Sequence, residues 1–194
     1  YIVLTLIEFF LLWLTGSMEW FDAINHALTT LPSGGFSTHD LSIGYYDSVL
    51  VEMIIIVFMF IAGVNFTLLW FIKEREFKKA FGDEEFKYYG IYVLVASLAI
   101  AGALIGSGTS VGTALRHSIF HVVSIGTSTG YGTTDYAGDG WPLATHFIIF
   151  ILMIVGASAG STAGGLKLLR VTLAFKVAMR ELVNHSVLRP VIGS

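Results

Sequence analysis

Two eight-residue stretches hold the residues whose types and spacing could do chemistry: Ser33-Gly34-Gly35-Phe36-Ser37-Thr38-His39-Asp40 and Ser128-Thr129-Gly130-Tyr131-Gly132-Thr133-Thr134-Asp135. At an offset of 95 residues, Ser33, Gly35, Thr38 and Asp40 meet Ser128, Gly130, Thr133 and Asp135. Phe36 meets Tyr131, and upstream His26 meets His121. What such loops offer is backbone oxygen. A dehydrated K⁺ needs oxygens in place of its water shell, and successive carbonyls supply them if they point toward one axis. Side chains resist the backbone angles this needs, so glycine is expected at the turning point, where Gly35 and Gly130 stand. The aromatic residue after each, Phe36 or Tyr131, is expected to wedge its loop from behind. Each stretch follows a hydrophobic segment too short to cross a bilayer and precedes one long enough to do so. That is the sequence pattern of an ion selectivity filter.

The elements that must position these loops are apolar. Of 194 residues, 55% are hydrophobic and 13% charged, against about 25% charged in a soluble domain, and the mean hydropathy is +0.75. This composition indicates a membrane protein. The absence of cysteine excludes disulfides, thiol catalysis and thiolate metal sites. A spanning helix needs about 20 apolar residues, so residues 1–15, which lack a basic leader flank, read as the tail of a helix in a piece of a longer protein. Residues 21–31 predict a short helix stopped by Pro32 and Gly34-Gly35. Residues 48–72 predict a span, 73–87 a charged cytoplasmic connector and 88–106 a second span. Residues 112–125 predict another short helix, and Pro142 opens a last apolar run.

The unit span, short re-entrant helix, glycine loop, span therefore occurs twice, over 1–72 and 88–185, with 186–194 as a tail. The expected fold is an all-α polytopic membrane protein of repeated helix–pore-loop–helix units whose last transmembrane helix is broken. Non-helical backbone at membrane depth is tolerated only where protein buries it or it lines a water-filled cavity.

Charge orients the chain. Lys73, Arg75, Lys78, Lys79 and Lys87 lie in the connector, and Lys167, Arg170, Lys176, Arg180 and Arg189 follow the last span, leaving only Arg116 elsewhere. The basic side is expected to be cytoplasmic. The glycine loops then face outward, flanked by Asp40, Asp47, Asp135 and Asp139, an acidic mouth that attracts cations.

Residues 156–165, Gly-Ala-Ser-Ala-Gly-Ser-Thr-Ala-Gly-Gly, interrupt the last span. They begin about 14 residues past Pro142, roughly 20 Å along a helix, which places them below the filter. Small residues permit an irregular loop, and Ser158, Ser161 and Thr162 can satisfy freed backbone groups. The functional reading is a gate across the pore built on Gly156, Gly160, Ser161, Thr162, Gly164 and Gly165, with Lys167 beside the inner vestibule. Close helix packing through small residues is the competing reading. Gly160 and Gly165 also have the glycine spacing of a phosphate-binding loop, but Leu166 separates Gly165 from Lys167 and Leu168 follows it, which argues against one.

At these residues the chain resembles the TrkH/KtrB/HKT superfamily of potassium transporters, and its TrkH branch most. The family is similar to four fused potassium-channel subunits, and this chain looks like repeats two and three of four. The resemblance implies Gly35 and Gly130 as filter glycines binding K⁺ through their carbonyls, with Ser33, Gly34, Phe36, Ser128, Thr129 and Tyr131 adjacent. Plant relatives with serine at a filter glycine pass sodium, so glycine at both positions implies K⁺ preference. The resemblance further implies a gate at 156–165, a homodimer, a cytosolic nucleotide-binding ring of the TrkA/KtrA type, no organic cofactor, and a bacterial inner-membrane location.

His117 and His121 have a metal-ligand spacing but lack the Glu of an H-E-x-x-H motif and an evident third ligand. They are expected to hydrogen-bond within the short helix. Glu8, Glu52 and Asn65 are polar groups in apolar segments. Glu52 is expected near the interface, and Asn65 could bond across to the broken helix. The expected function is potassium translocation, with no enzymatic reaction. The alternatives are a two-repeat channel that dimerises around one pore, an H⁺- or Na⁺-coupled symporter, and an intramembrane metalloenzyme using the two histidines.

Overall fold

The computed structural model describes residues 1–138 and 140–188, and the side chains of all these except 183–188. Asp139, Arg189 and most of the expected 186–194 tail lie outside the described residues.

Nine helices are described. Helix α1 (Ile2–Leu14) runs into α2 (Trp20–Thr30), the short helix before the first glycine loop. A 3-10 turn (Ser42–Tyr46) leads to α3 (Val49–Ala62), which Ser48 caps by accepting the Val51 N–H at 3.5 Å. Then follow α4 (Phe66–Lys73), α5 (Phe77–Gly82) and α6 (Glu84–Gly106). Helix α7 (Val111–Gly126), capped by Ser110, precedes the second glycine loop. Last come α8 (Leu143–Ile154) and α9 (Leu168–Leu188). The order α1–α2–loop–α3 recurs as α6–α7–loop–α8, the duplication read from the sequence.

Helix α6 is, among the described residues, the one single helix long and apolar enough to cross a membrane, at 23 residues and a mean hydropathy of 2.0 over its best window. It starts four residues before the expected span, because Asp83 caps it by accepting the Phe86 N–H at 2.9 Å. The span expected over 48–72 is not continuous. It breaks between Ala62 and Phe66, and α4 turns by 103° from α3. Asn65 supplies the reason: its Oδ1 accepts the Thr67 N–H at 2.9 Å and starts a new helix in a new direction. The connector is likewise not a plain loop, since α5 and the first turn of α6 occupy much of it.

Helix α7 lies at the centre of the core, packed against α3, α6 and α8. Its buried face carries Phe120, Val122 and Val123, which share one core cluster with Ile55 and Met59 of α3 and Tyr89 and Ile100 of α6. Arg116, the cation outside the two basic regions, fastens this helix to α3: its Nε and Nη2 donate to the two Glu52 oxygens at 2.6 and 2.8 Å. Glu52 is 2% exposed, so the expected interfacial acid is a buried, fully paired one. Glu8 is also fully buried, and among the described residues its carboxyl oxygens meet no hydrogen-bond partner.

Candidate ion-conduction site

The two glycine loops share one backbone. After each short helix the chain passes through left-handed residues at Ser33 (φ 58°) and Gly35 (φ 65°), and at Ser128 (φ 60°) and Gly130 (φ 87°). Gly34 and Thr129 lie between them at negative φ. Backbone of alternating hand aligns successive peptide groups instead of alternating them, the arrangement a carbonyl-lined filter requires. The anchoring bonds match as well. Gly34 and Gly35 donate to the Thr29 carbonyl at 2.8 and 3.1 Å, and Thr129 and Gly130 donate to the Ser124 carbonyl at 2.8 and 3.2 Å. Thr29 Oγ1 lies 2.9 Å from the Phe36 carbonyl, and Ser124 Oγ lies 2.7 Å from the Tyr131 carbonyl. The serines were expected beside the filter glycines, but their left-handed conformation has no signal in residue type.

Farther along, Thr38 donates to Asp22 at 2.8 Å, and Thr133 bonds His117 Nδ1 at 3.0 Å. Asp22 and His117 occupy matching positions in the two copies, so each short helix is stitched to its own loop. His26 and His121 each place Nδ1 against the carbonyl four residues back, at 2.7 and 2.9 Å, and Nε2 against the loop, at Ser37 and Thr134. The histidines thus bond within the helix–loop unit, as expected. Asp40 and Asp135 both line a cleft of about 260 Å³ between the exits of the two loops.

The aromatic residues diverge. Tyr131 is 1% exposed, and its hydroxyl lies 2.6 Å from Thr29 Oγ1 and 3.2 Å from the His26 carbonyl, so it braces the first helix–loop unit from within the second. Phe36 is 75% exposed, and its ring lies beside Gly34 of its own loop, where a β-carbon would fall 3.5 Å from Phe36 Cδ2.

The stretch 156–165 is an irregular loop, not a helix packed through small residues. Helix α8 ends at Ile154 and α9 begins at Leu168. Between them, β1 (Val155–Gly156) and β2 (Leu166–Lys167) pair in parallel and close the loop at its base. A side chain at Gly156 would collide with the Gly164 carbonyl, so the closure requires glycine there. The loop lies against the glycine loops on one side: Thr162 Oγ1 is 2.9 Å from Ser33 Oγ, and the Gly164 N–H donates to Ser128 Oγ at 3.2 Å. Those partners are the two left-handed serines. On the other side it lies against the α3–α4 break. Ser158 N–H donates to the Gly63 carbonyl at 3.1 Å, Thr162 N–H to Ala62 at 3.3 Å, and Phe66 N–H to Gly160 at 3.2 Å. Lys167 Nζ donates back to the Ala163 carbonyl. Asn65 does reach this region, with its side chain beside Gly160, but its Nδ2 bonds Glu85 Oε2 at 3.5 Å. Glu85 falls within residues 73–87, the stretch expected as a charged connector. It accepts the Ala159 N–H at 2.5 Å.

Two helix–pore-loop–helix units, interlocked through Tyr131 and floored by an irregular loop, define a membrane protein of the pore-loop class. The family described as TrkH, cation transport protein, matches residues 1–187, and the chain belongs to that family. It is 37% identical over 178 residues to the Trk system potassium uptake protein TrkH of Halomonas elongata, covering 90% of this chain and 36% of that protein. Against the TrkH of Escherichia coli K12 it is 37% identical over 185 residues, 94% of this chain and 38% of that protein. The crystal structure of the potassium transporter TrkH from Vibrio parahaemolyticus superposes with a TM-score of 0.89 at 35% identity, over 100% of this chain and 42% of that one. The chain thus spans well under half the length of these relatives. The family is one of membrane cation transporters, not of enzymes.

Proposed function

We propose that this chain supplies two of the pore loops of a potassium-translocating subunit, with ions passing Gly35 and Gly130 and then the 156–165 loop. The observation that carries this reading is the matched backbone of the two glycine loops: left-handed residues at corresponding positions, anchored to corresponding carbonyls, those of Thr29 and Ser124. Backbone oxygens of Ser33, Gly34, Gly35, Ser128, Thr129 and Gly130 would replace the water shell of K⁺, and Asp40 and Asp135 would raise its local concentration at the mouth. The Gly/Ala/Ser/Thr loop at 156–165 acts as the gate, since its contacts with Ser33 and Ser128 put it directly behind the glycine loops. The names of the relatives support potassium as cargo. A second copy of the subunit, a cytosolic nucleotide-binding ring and a bacterial inner-membrane location belong to the same proposal.

The experiment is K⁺ or Rb⁺ uptake by the full-length protein in a strain deficient in K⁺ uptake. Gly35→Ser and Gly130→Ser are expected to weaken discrimination against Na⁺, and unchanged selectivity in both overturns the filter reading. Deleting several residues within 157–164 is expected to raise basal flux. A folded, inserted deletion variant with unchanged flux overturns the gate.

A further inference from the structure

Among the described residues, the bonds that hold the 156–165 loop on the side away from the glycine loops are backbone to backbone, or within the loop's own segment, with two side-chain anchors besides. Thr162 Oγ1 donates to the Ala62 carbonyl at 3.1 Å, and Glu85 accepts the Ala159 N–H at 2.5 Å. Of these two anchors, only Glu85 carries a charge. It is 8% exposed, and among the described residues it forms no ion pair. Two features keep the carboxylate in place: its position in the first turn of α6, where the helix dipole favours negative charge, and the hydrogen bond to the loop, of the charge-assisted kind. Its second oxygen meets Asn65, the residue that turns α4 away from α3. One side chain therefore joins the loop, the α3–α4 break and the start of α6.

Glu85 also stands next to the basic connector. Residues 74–83 run from the end of α4 through α5 to Asp83, the cap of α6, two residues before Glu85. Lys78 and Lys79 of α5 are exposed, and α5 packs against α6, the helix that carries Glu85. Backbone bonds form whatever the side chains are; a carboxylate can be withdrawn by moving the helix that bears it.

We propose that Glu85 is the latch of the 156–165 loop: a positioning residue that holds the loop in place and transmits movement of the 74–83 connector to it. This rests on the reading of that loop as a gate. Glu85→Ala leaves the Ala159 N–H without its partner and is expected to raise basal Rb⁺ flux through the full-length protein about tenfold, the factor that an interaction of charge-assisted strength makes in a two-state equilibrium. Glu85→Gln keeps an acceptor oxygen and is expected to raise it about threefold. The Rb⁺/Na⁺ preference should not change in either, because the glycine loops are untouched.

The test is flux and selectivity of both variants beside a deletion within 157–164, each normalised to inserted protein. A deletion that raises flux while both Glu85 variants leave it unchanged overturns the latch and keeps the gate. Unchanged flux in all three overturns the gate, and the latch with it. If Glu85→Ala fails to insert, Glu85→Gln decides: raised flux with selectivity intact supports the latch, and flux at the wild-type level overturns it. Lost selectivity alongside raised flux in the Gln variant also overturns it, since that is general disruption of the pore.

Discussion

The two glycine loops have nearly the same backbone and quite different surroundings. Gly35 sits where a β-carbon would fall 1.7 Å from the Thr129 carbonyl, while a β-carbon on Gly130 meets nothing within 4 Å. Phe36 is exposed and Tyr131 buried. The second short helix is pinned to α3 through Arg116, whereas the matching residue of the first, Phe21, is half exposed. The two copies share the course of their main chain and differ in the side chains that support it. The second unit carries the additional anchors, and it braces the first through Tyr131.

The comparison breaks most decisively at the glycines. Gly35→Ala faces both left-handed strain and a backbone collision, and is expected to abolish Rb⁺ uptake. Gly130→Ala faces only the strain, about 1–2 kcal/mol, and should retain measurable uptake with weaker discrimination against Na⁺. Equal loss in both would show the two loops to be equivalent after all. Next in size is the ion pair. Arg116→Ala strands a buried Glu52 and is expected to cost about 3 kcal/mol or more, read as a lower unfolding temperature in detergent, whereas Phe21→Ala should stay within about 0.5 kcal/mol.

A smaller effect separates the aromatics. Tyr131→Phe removes the hydroxyl that bonds Thr29 and the His26 carbonyl, at about 0.5–1.5 kcal/mol, while Phe36→Ala should again fall within about 0.5 kcal/mol. A larger loss at Phe36 would mean that it is braced in the full protein. The smallest effect should be shared. Thr38→Val and Thr133→Val each remove one stitch between short helix and loop, to Asp22 and to His117, and are expected to cost about 1 kcal/mol apiece. Unequal costs would show that the stitch, too, has diverged.

Much of this was legible in the chain because it depends on local pattern. The offset of 95 aligned the loops, their histidines and their short helices, and the run of Gly, Ala, Ser and Thr at 156–165 marked the break. The α3–α4 break was missed because residues 48–72 are apolar with one acid, and hydropathy does not register a turn made by a single Asn cap. Glu85 was missed for a different reason: among the alternating charges of the connector, a carboxylate that points inward looks like its solvated neighbours. Arg116 stood out by isolation, yet only packing revealed its partner 64 residues away.

By itself the sequence determined the apolar character of the elements, their duplication, the glycines at the turning points and the place where the last helix fails. Periodicity and backbone preference act over a few residues and leave their mark in residue type. The tertiary structure decided which aromatic is buried, which serines carry the left-handed turns, and which carboxylate holds the 156–165 loop. Those outcomes depend on what lies across the gap between elements distant in the chain, and no spacing along one strand of sequence records that.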